Sequence, residues 1–287
     1  MPLPHLGLLH PGAMGISLAA AAQQSGHTVY WASQGRSAET RERAEKFALV
    51  DAGTLAELCS TCAVIVSVCP PEAAEAVAGA VLASGFTGLY VEATAIAPRR
   101  AVALSQALEA AGAGFVDGSL IGGPAWTPGA TTLDLAGRRA AQAAACFAAG
   151  PLATRIIGPE PGKASALKMC YAAYTKGTTA LLGAILAAAE QLGVRPELDQ
   201  QWAEADPDFA RDTAQRVRRS ALKAWRFAGE MDEIAATFRA AGLPGEFHEA
   251  AGVLYRRLAG FRGTGAAPGL EAVLGALRDG EAHEGEA

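Results

Sequence analysis

Hydrophobic positions in the first half of the chain fall into short runs of strand length, separated by amphipathic stretches of helix length. The runs are Leu6–Leu9, Val29–Trp31, Ala63–Val68, Leu89–Val91, Gly114–Val116 and Thr154–Ile157, bounded by Gly, Pro, Ser or acidic residues. Between them, Ile16–Ser25, Ser37–Lys46, Glu72–Ala83 and Arg99–Ala111 carry apolar residues at helical spacing. Alternation of this kind predicts an α/β architecture, a doubly wound and largely parallel sheet with helices on both faces. The pattern changes after Gly158-Pro159-Glu160-Pro161-Gly162. Lys163 to Leu192 contains no proline and reads as one long helix closed by Gly193. Beyond Arg195 the chain is helical throughout, broken at Asp206-Pro207, Gly242–Gly245 and Gly263–Gly269, with Asp279–Ala287 reading as a polar tail. The expected organisation is therefore an α/β domain over residues 1–158 and an all-α domain over residues 159–287.

Composition narrows the function classes. The net charge of −5 lacks the basic excess of a dedicated nucleic-acid binder. No run of 18 apolar residues suggests a membrane span, and the N-terminus Met1-Pro2-Leu3-Pro4-His5 lacks the basic region of a signal peptide. Five cysteines in a long chain argue against a disulfide framework, and Cys59-x-x-Cys62 has no second pair with which to hold a metal. A cytoplasmic globular protein acting on a small molecule is the expectation, with no metal.

The first run leads into His10-Pro11-Gly12-Ala13-Met14-Gly15 and then a helix. A dinucleotide-binding, Rossmann-like fold needs small residues here so that backbone amides reach a pyrophosphate at the helix N-terminus. The G-x-G-x-x-G spacing falls on positions 10, 12 and 15, and position 10 is His. Pro11, Gly12, Ala13, Met14 and Gly15 are the expected cofactor contacts. After the second run, Ser33, Gln34, Gly35, Arg36 and Ser37 precede any acid, the first being Glu39. NAD enzymes place an acid there for the ribose hydroxyls, whereas Ser33, Arg36 and Ser37 suit a 2′-phosphate. The expectation is NADP(H) in preference to NAD(H), with Arg36 as an ordinary surface residue the competing reading.

These motifs resemble the β-hydroxyacid dehydrogenases related to 6-phosphogluconate dehydrogenase. His10–Gly15 and Gly26-His27-Thr28-Val29 carry the resemblance first. Val68-Cys69-Pro70-Pro71, Glu92–Pro98, Asp117–Gly123 and Gly162–Lys168 then follow in family order. The helical remainder, with Trp225 and Gly229–Ile234, resembles a poorly characterised C-terminal domain found on a subset of these proteins. The resemblance implies ring-side cofactor contacts from Cys69, Pro70 and Thr94. It implies a substrate border formed by Ser119, Gly122 and Gly123, a catalytic lysine at Lys168, and a homodimer.

The residues themselves also single out Lys168. The chain has only five lysines, and three of them, Lys163, Lys168 and Lys176, open the long helix. A partly desolvated lysine exchanges protons with a carbonyl or alcohol oxygen while the cofactor carries the hydride. Helical spacing puts Lys168, Tyr171, Ala172, Thr175 and Lys176 on one stripe, so Tyr171 is a second catalytic candidate, with core packing as its alternative. Three departures from the family pattern bear on substrate: Tyr171 and Ala172 stand where an Asn is usual, Ile121 where a Ser is usual, and Gln34 where an Arg is usual. The reading is an oxidoreductase interconverting a carbonyl and an alcohol on a small, hydroxyacid-like substrate. The alternatives are an imine reductase and a catalytically silent NADPH-binding regulatory protein. The basic run Arg211, Arg216, Arg218, Arg219, Lys223 and Arg226 reads as a solvated helix face, or else as a dimer or anionic-substrate contact. His248 reads as structural, and Glu230, Asp232 and Glu233 as helix solvation, or as paired carboxylates if they face the cleft.

Overall fold

A computed structural model of the protein describes residues 3–279. The chain divides into two units, Met1–Met169 and Cys170–Ala287.

The first unit is built on eight strands: β1 Leu6–Leu8, β2 Val29–Trp31, β3 Val50–Asp51, β4 Val64–Ser67, β5 Leu89–Glu92, β6 Gly114–Gly122, β7 Thr131–Ala136 and β8 Ala153–Gly158. Their spatial order is β3-β2-β1-β4-β5-β6-β7-β8, with every neighbouring pair parallel except β6 and β7. The first six strands have the order of a doubly wound dinucleotide-binding sheet, whose switch point lies between β1 and β4. Helices α1 Ala13–Gln24, α2 Ala38–Lys46, α3 Leu55–Thr61, α4 Ala74–Ala83, α5 Pro98–Ala110 and α6 Ala140–Ala145 make the crossovers and cover the sheet.

Period-two alternation sorts the strand residues into two cores. Leu6, Leu8, Val64, Val66, Leu89, Val91 and Val116 pack with Ile16 and Leu18 of α1 on one face. Ile65, Tyr90 and Phe115 pack with Leu58, Leu104 and Leu108 on the other. The sheet is buried on both sides, so its strands read as nearly continuous apolar runs.

Three strand features depart from the sequence reading. β3 is a two-residue edge strand with both residues exposed, too short to leave a pattern. β6 runs six residues past Val116, and β7 was not anticipated because Thr131, Thr132 and Asp134 interrupt its apolar residues. Asp134 is nevertheless fully buried and ion-paired to Arg155 at 2.5 Å.

α7 (Lys163–Ala172) joins the two units. In the second unit a π-helical segment, Ala173–Gly177, leads into α8 Thr178–Gln191. α9 Arg195–Ala205, α10 Phe209–Ala221, α11 Ala224–Ala240, α12 Glu246–Arg257 and α13 Leu270–Asp279 follow. Close packing centres on Gly183, where an added Cβ would lie 3.3 Å from Leu277 and 3.5 Å from Val217. Around it Val217, Ala221, Met231, Ile234, Tyr255, Val273 and Leu274 are buried.

The expected uninterrupted helix is thus broken by a wide turn, in which carbonyls leave the i→i+4 ladder. Side chains recover them: the Tyr171 carbonyl accepts from Thr175 Oγ1 at 3.0 Å and the Thr175 carbonyl from Thr179 Oγ1 at 2.6 Å. The Lys176 carbonyl accepts from Tyr255 Oη at 2.8 Å, while the Tyr174 carbonyl keeps the Thr178 amide and accepts from its hydroxyl as well. The extra residue also rotates the helix, so Tyr171, Ala172, Thr175 and Lys176 no longer form the continuous stripe that 3.6-residue spacing implies.

Asp279 belongs to α13; Met1, Pro2 and the rest of the polar tail lie outside the described residues. Among the described residues no helix is long and apolar enough to cross a membrane.

Candidate functional site

The carboxyl ends of β1, β2, β4, β5 and β6 carry nearly all the candidate residues. At β1, the Gly12 amide donates to the His10 carbonyl at 2.8 Å, and α1 begins at Ala13. Gly15 is required by contact, since a Cβ there would sit 2.1 Å from the His10 carbonyl oxygen. At Gly12 a Cβ would meet nothing within 4 Å, so the loop is open on that side. No side chain caps α1 and no acid lies in its first turn. The first amides and the positive end of the helix dipole are therefore left for an anion. Pro11 is buried, Met14 half-buried and Ala13 exposed.

Arginines converge on this loop from the segment after β2. Arg36 Nη2 donates to the Leu9 carbonyl at 3.0 Å, while its buried Nε has no hydrogen-bond partner. Its charge faces His10 and Cys69. Burial, reinforced by Arg36, lowers the His10 pKa to about 4, so the residue in the position of the motif's first glycine is a neutral imidazole. Its Nδ1 is likewise buried without a partner.

Two further arginines escaped the sequence reading. Arg41 Nη2 donates to the Ser33 carbonyl at 2.7 Å, and Arg43 Nη1 to the Pro11 carbonyl at 3.2 Å. Their positions on α2, five and seven residues after Arg36, were the available signal. Ser33 is buried and hydrogen-bonded to Asp51 of β3, an acid that lies beyond the segment directly after β2. Ser37 caps α2, accepting from the Thr40 amide at 3.3 Å.

At β4 and β5, Thr94 ties two strand ends together. Its hydroxyl accepts from the Cys69 amide at 3.2 Å and lies 3.4 Å from Cys69 Sγ. Pro70 is exposed beside them. Beneath, Glu92 is 1% exposed, with Oε1 accepting from the Thr94 amide at 2.9 Å and Oε2 from Tyr90 Oη at 3.2 Å. Burial raises its pKa to about 7, against the opposing hydrogen bonds of Thr94, Tyr90 and Ser67. Ser67, Glu92 and Asp117 are register partners across β4, β5 and β6, a polar row through the buried sheet.

Asp117 has a separate task. Its Oδ2 accepts from the Gly162, Ala164 and Ser165 amides at 2.8, 2.9 and 3.0 Å, and its Oδ1 from Ser165 Oγ at 2.7 Å. These bonds cap α7, satisfying donors that have no partner within the helix. Three residues further along β6, the Leu120 carbonyl accepts from Lys168 Nζ at 2.6 Å. One strand therefore fixes both the start of the helix and the amine that the helix carries.

Ser119 is not brought to the open loop. It is 2% exposed, faces Asp134 across the antiparallel pair, and its hydroxyl has no partner. Gly122 and Gly123 are exposed, and Gly122 sits at φ 125° where a Cβ would collide with the Ala130 carbonyl at 2.2 Å. Tyr171, in the second unit, is 46% exposed rather than packed in a core.

The residues present fit a phosphate-bearing dinucleotide. An uncapped helix N-terminus, the open face at Gly12 and the unpartnered donor of Arg36 gather at the switch point.

Comparisons with known proteins agree with this geometry. Residues 5–148 match the family described as the NAD binding domain of 6-phosphogluconate dehydrogenase, and residues 189–258 match a domain of unknown function, DUF1932. A solved conserved protein of unknown function, described as structurally similar to 3-hydroxyacid dehydrogenases, is 26% identical. It has a TM-score of 0.68 over 92% of this chain and 100% of its own. The 3-hydroxyisobutyrate dehydrogenase of Mycobacterium tuberculosis, solved with L-serine, is 17% identical with a TM-score of 0.72, over 96% and 99% of the two chains. An imine reductase from Myxococcus stipitatus, solved with NADP+, is 17% identical with a TM-score of 0.57 over the same shares. The last two show a shared fold. None of the curated proteins matches the sequence.

Proposed function

Since the chain belongs to the NAD(P)-dependent oxidoreductases built on the NAD binding domain of 6-phosphogluconate dehydrogenase, we propose that it is an NADPH-preferring enzyme that interconverts a carbonyl and an alcohol on a small substrate. The observation that carries this reading is the placement of Lys168, whose ammonium is held on the Leu120 carbonyl by a helix that Asp117 anchors to the same strand.

The nicotinamide supplies or accepts the hydride when the cofactor is bound. Residues 11–15 would hold the pyrophosphate, chiefly through the first-turn amides of residues 13–15, since Pro11 has no N–H and the Gly12 amide is given to the His10 carbonyl. Cys69, Pro70 and Thr94 would border the ring. Lys168 gives a proton to the substrate oxygen in reduction and takes one in oxidation. Gly122 and Gly123 expose backbone to the substrate. Ser119 and Tyr171 are proposed respectively as support beneath that loop and as a hydroxyl donor.

Preference for NADPH rests on Arg36, with Ser33 and Ser37 beside it. A guanidinium with a buried, unpartnered Nε gains a charge-assisted bond from a 2′-phosphate that NADH does not offer. Arg36→Gln is expected to weaken NADPH binding by roughly 10- to 100-fold while leaving NADH unchanged, the scale of one hydrogen bond to a charged group. Fluorescence titration of both cofactors checks it; equal losses would show that Arg36 supports the loop and not the phosphate.

Ile121, in place of the family's loop serine, favours a second reading, an imine reductase. It leaves the loop with fewer groups to hold a carboxylate. Turnover of cyclic imines compared with 2- and 3-hydroxy or keto acids separates the two, and tight NADPH binding with no turnover of either would favour a regulatory role.

We also propose a homodimer. Tyr171, Tyr174 and Leu181 are 46%, 67% and 43% exposed along one helical rod, an apolar surface of the kind that protein contacts cover. Light scattering is expected to give twice the chain mass, and a Tyr174→Glu, Leu181→Glu variant the monomer.

A further inference from the structure

We propose that a cavity within the second unit binds an organic polyanion, a ligand carrying two or more carboxylate or phosphate groups. The cavity is an open cleft of about 570 Å³, within the range of small-molecule sites. The π-helical segment forms one wall through Thr175 and Lys176, and α10 and its end form another through Arg216, Arg219 and Lys223. The rings of Phe227 and Tyr255 also line it.

The basic run from Arg211 to Arg226, expected as a solvated face or else a dimer or anionic-substrate contact, is in large part accounted for. Arg211 pairs with Asp208 and Asp212. Arg218 donates to the Pro268 carbonyl at 2.7 Å, and Arg226 lies over the Trp225 ring. The cations of the cavity are different. Arg219 and Lys223, four residues apart and both exposed, have no carboxylate partner among the described residues. Arg216 is held by neutral groups only, donating to the Thr178 hydroxyl at 2.7 Å, the Thr179 hydroxyl and the Thr175 carbonyl. Lys176 is ion-paired with Glu230 and sits 4.8 Å over the Phe227 ring.

Four cations therefore line the cavity with one carboxylate, that of Asp212, which is paired with Arg211, while Glu230 outside the lining is paired with Lys176. A chain of net charge −5 keeps a positive cavity against its overall sign. Arginine and lysine lining a concave, partly apolar site is the arrangement that recognises phosphate and carboxylate. The π turn contributes directly, because it holds Lys176 and its neighbouring threonines at the cavity wall, and such bulges recur at functional sites.

The test is thermal unfolding of the full chain with sodium citrate or inorganic phosphate, against sodium chloride at equal ionic strength. The wild type should show a saturable rise in melting temperature with citrate, beyond that in chloride. An Arg219→Gln, Lys223→Gln variant should bind citrate about tenfold more weakly or worse, having lost two charged donors. Arg239→Gln, whose carboxylate partners Glu246 and Glu249 lie outside the cavity lining, should match the wild type. NADPH should raise the melting temperature equally in all three proteins, so failure of the cofactor reading would show separately. A citrate effect identical in the wild type and the double variant, or no effect beyond chloride, would overturn the proposal. So would a change of oligomeric mass in the double variant, since the cavity would then be a contact between copies.

Discussion

Replacing Lys168 by methionine is expected to slow single-turnover hydride transfer by roughly 10²- to 10⁴-fold, the usual contribution of a positioned acid or base. Methionine keeps much of the apolar stem and removes the ammonium, so α7 still docks through Asp117 while the Leu120 carbonyl loses its donor. NADPH affinity should remain unchanged, because the amides of the glycine loop do not depend on this amine. A fall in melting temperature with no fall in rate would identify Lys168 as a tether between α7 and β6 and nothing more. Recovery of the rate when Lys168→Cys is modified to an aminoethyl thioether would locate the effect in the amine.

The second large effect concerns Glu92. Its carboxyl titrates near 7 in the folded chain and near 4.5 in the unfolded one, so the native state holds the proton more tightly. The linked stability is complete below pH 4.5, drains away as pH rises towards 7, and is then constant. At about 1.4 kcal/mol per unit, the loss across that window is roughly 3 kcal/mol. Glu92→Gln removes the titration while keeping an oxygen for the Thr94 amide, and its NH2 can donate to Tyr90, whose hydroxyl turns to accept. Urea unfolding of both proteins at pH 4 and pH 8 should give similar stability at the lower pH. At the higher pH the variant should be more stable by up to roughly 3 kcal/mol. Parallel pH profiles would show that Glu92 is ionised at no cost, with Asp117, its neighbour in register, carrying the acid response instead.

The doubly wound half was legible because its strands are buried on both faces, and burial writes apolar runs that helices punctuate. Val64–Val66 and Leu89–Val91 show this plainly, alternating between two cores without a polar break. β3 and β7 were not legible, for opposite physical reasons. Val50 and Asp51 lie at an exposed edge and obey no core, whereas Asp134 of β7 is buried and paired through one oxygen with Arg155, so a core position carries a charge. The π turn left no trace either, since Thr175, Thr178 and Thr179 act on carbonyls within their own helix and read as ordinary polar residues.

The candidate site was legible where spacing itself is the chemistry, as at Gly12 and Gly15, which a helix N-terminus and a close contact demand. It was opaque where partners come from distant segments. Asp51 reaches Ser33 from another strand, Arg43 reaches Pro11 from the next helix, and Asp117 reaches Gly162 across 45 residues. The face of Ser119 depended on where β6 ends, and the apolar run suggested an end at Val116. A strand that continues to Gly122 carries Ser119 inward, opposite Asp134.

Because β6 holds both the first turn of α7 and the lysine amine, the position of that amine is referenced to the sheet and not to the helix from which it grows. Slippage of β6 by one residue would turn Asp117 to the opposite face, so the anchor and the amine cannot drift apart gradually. Evolutionary change in this region should therefore be quantised. Insertions are tolerable in the loop between Gly123 and Ala130, but between Asp117 and Leu120 even a single added residue would dismantle the lysine's mooring in one step.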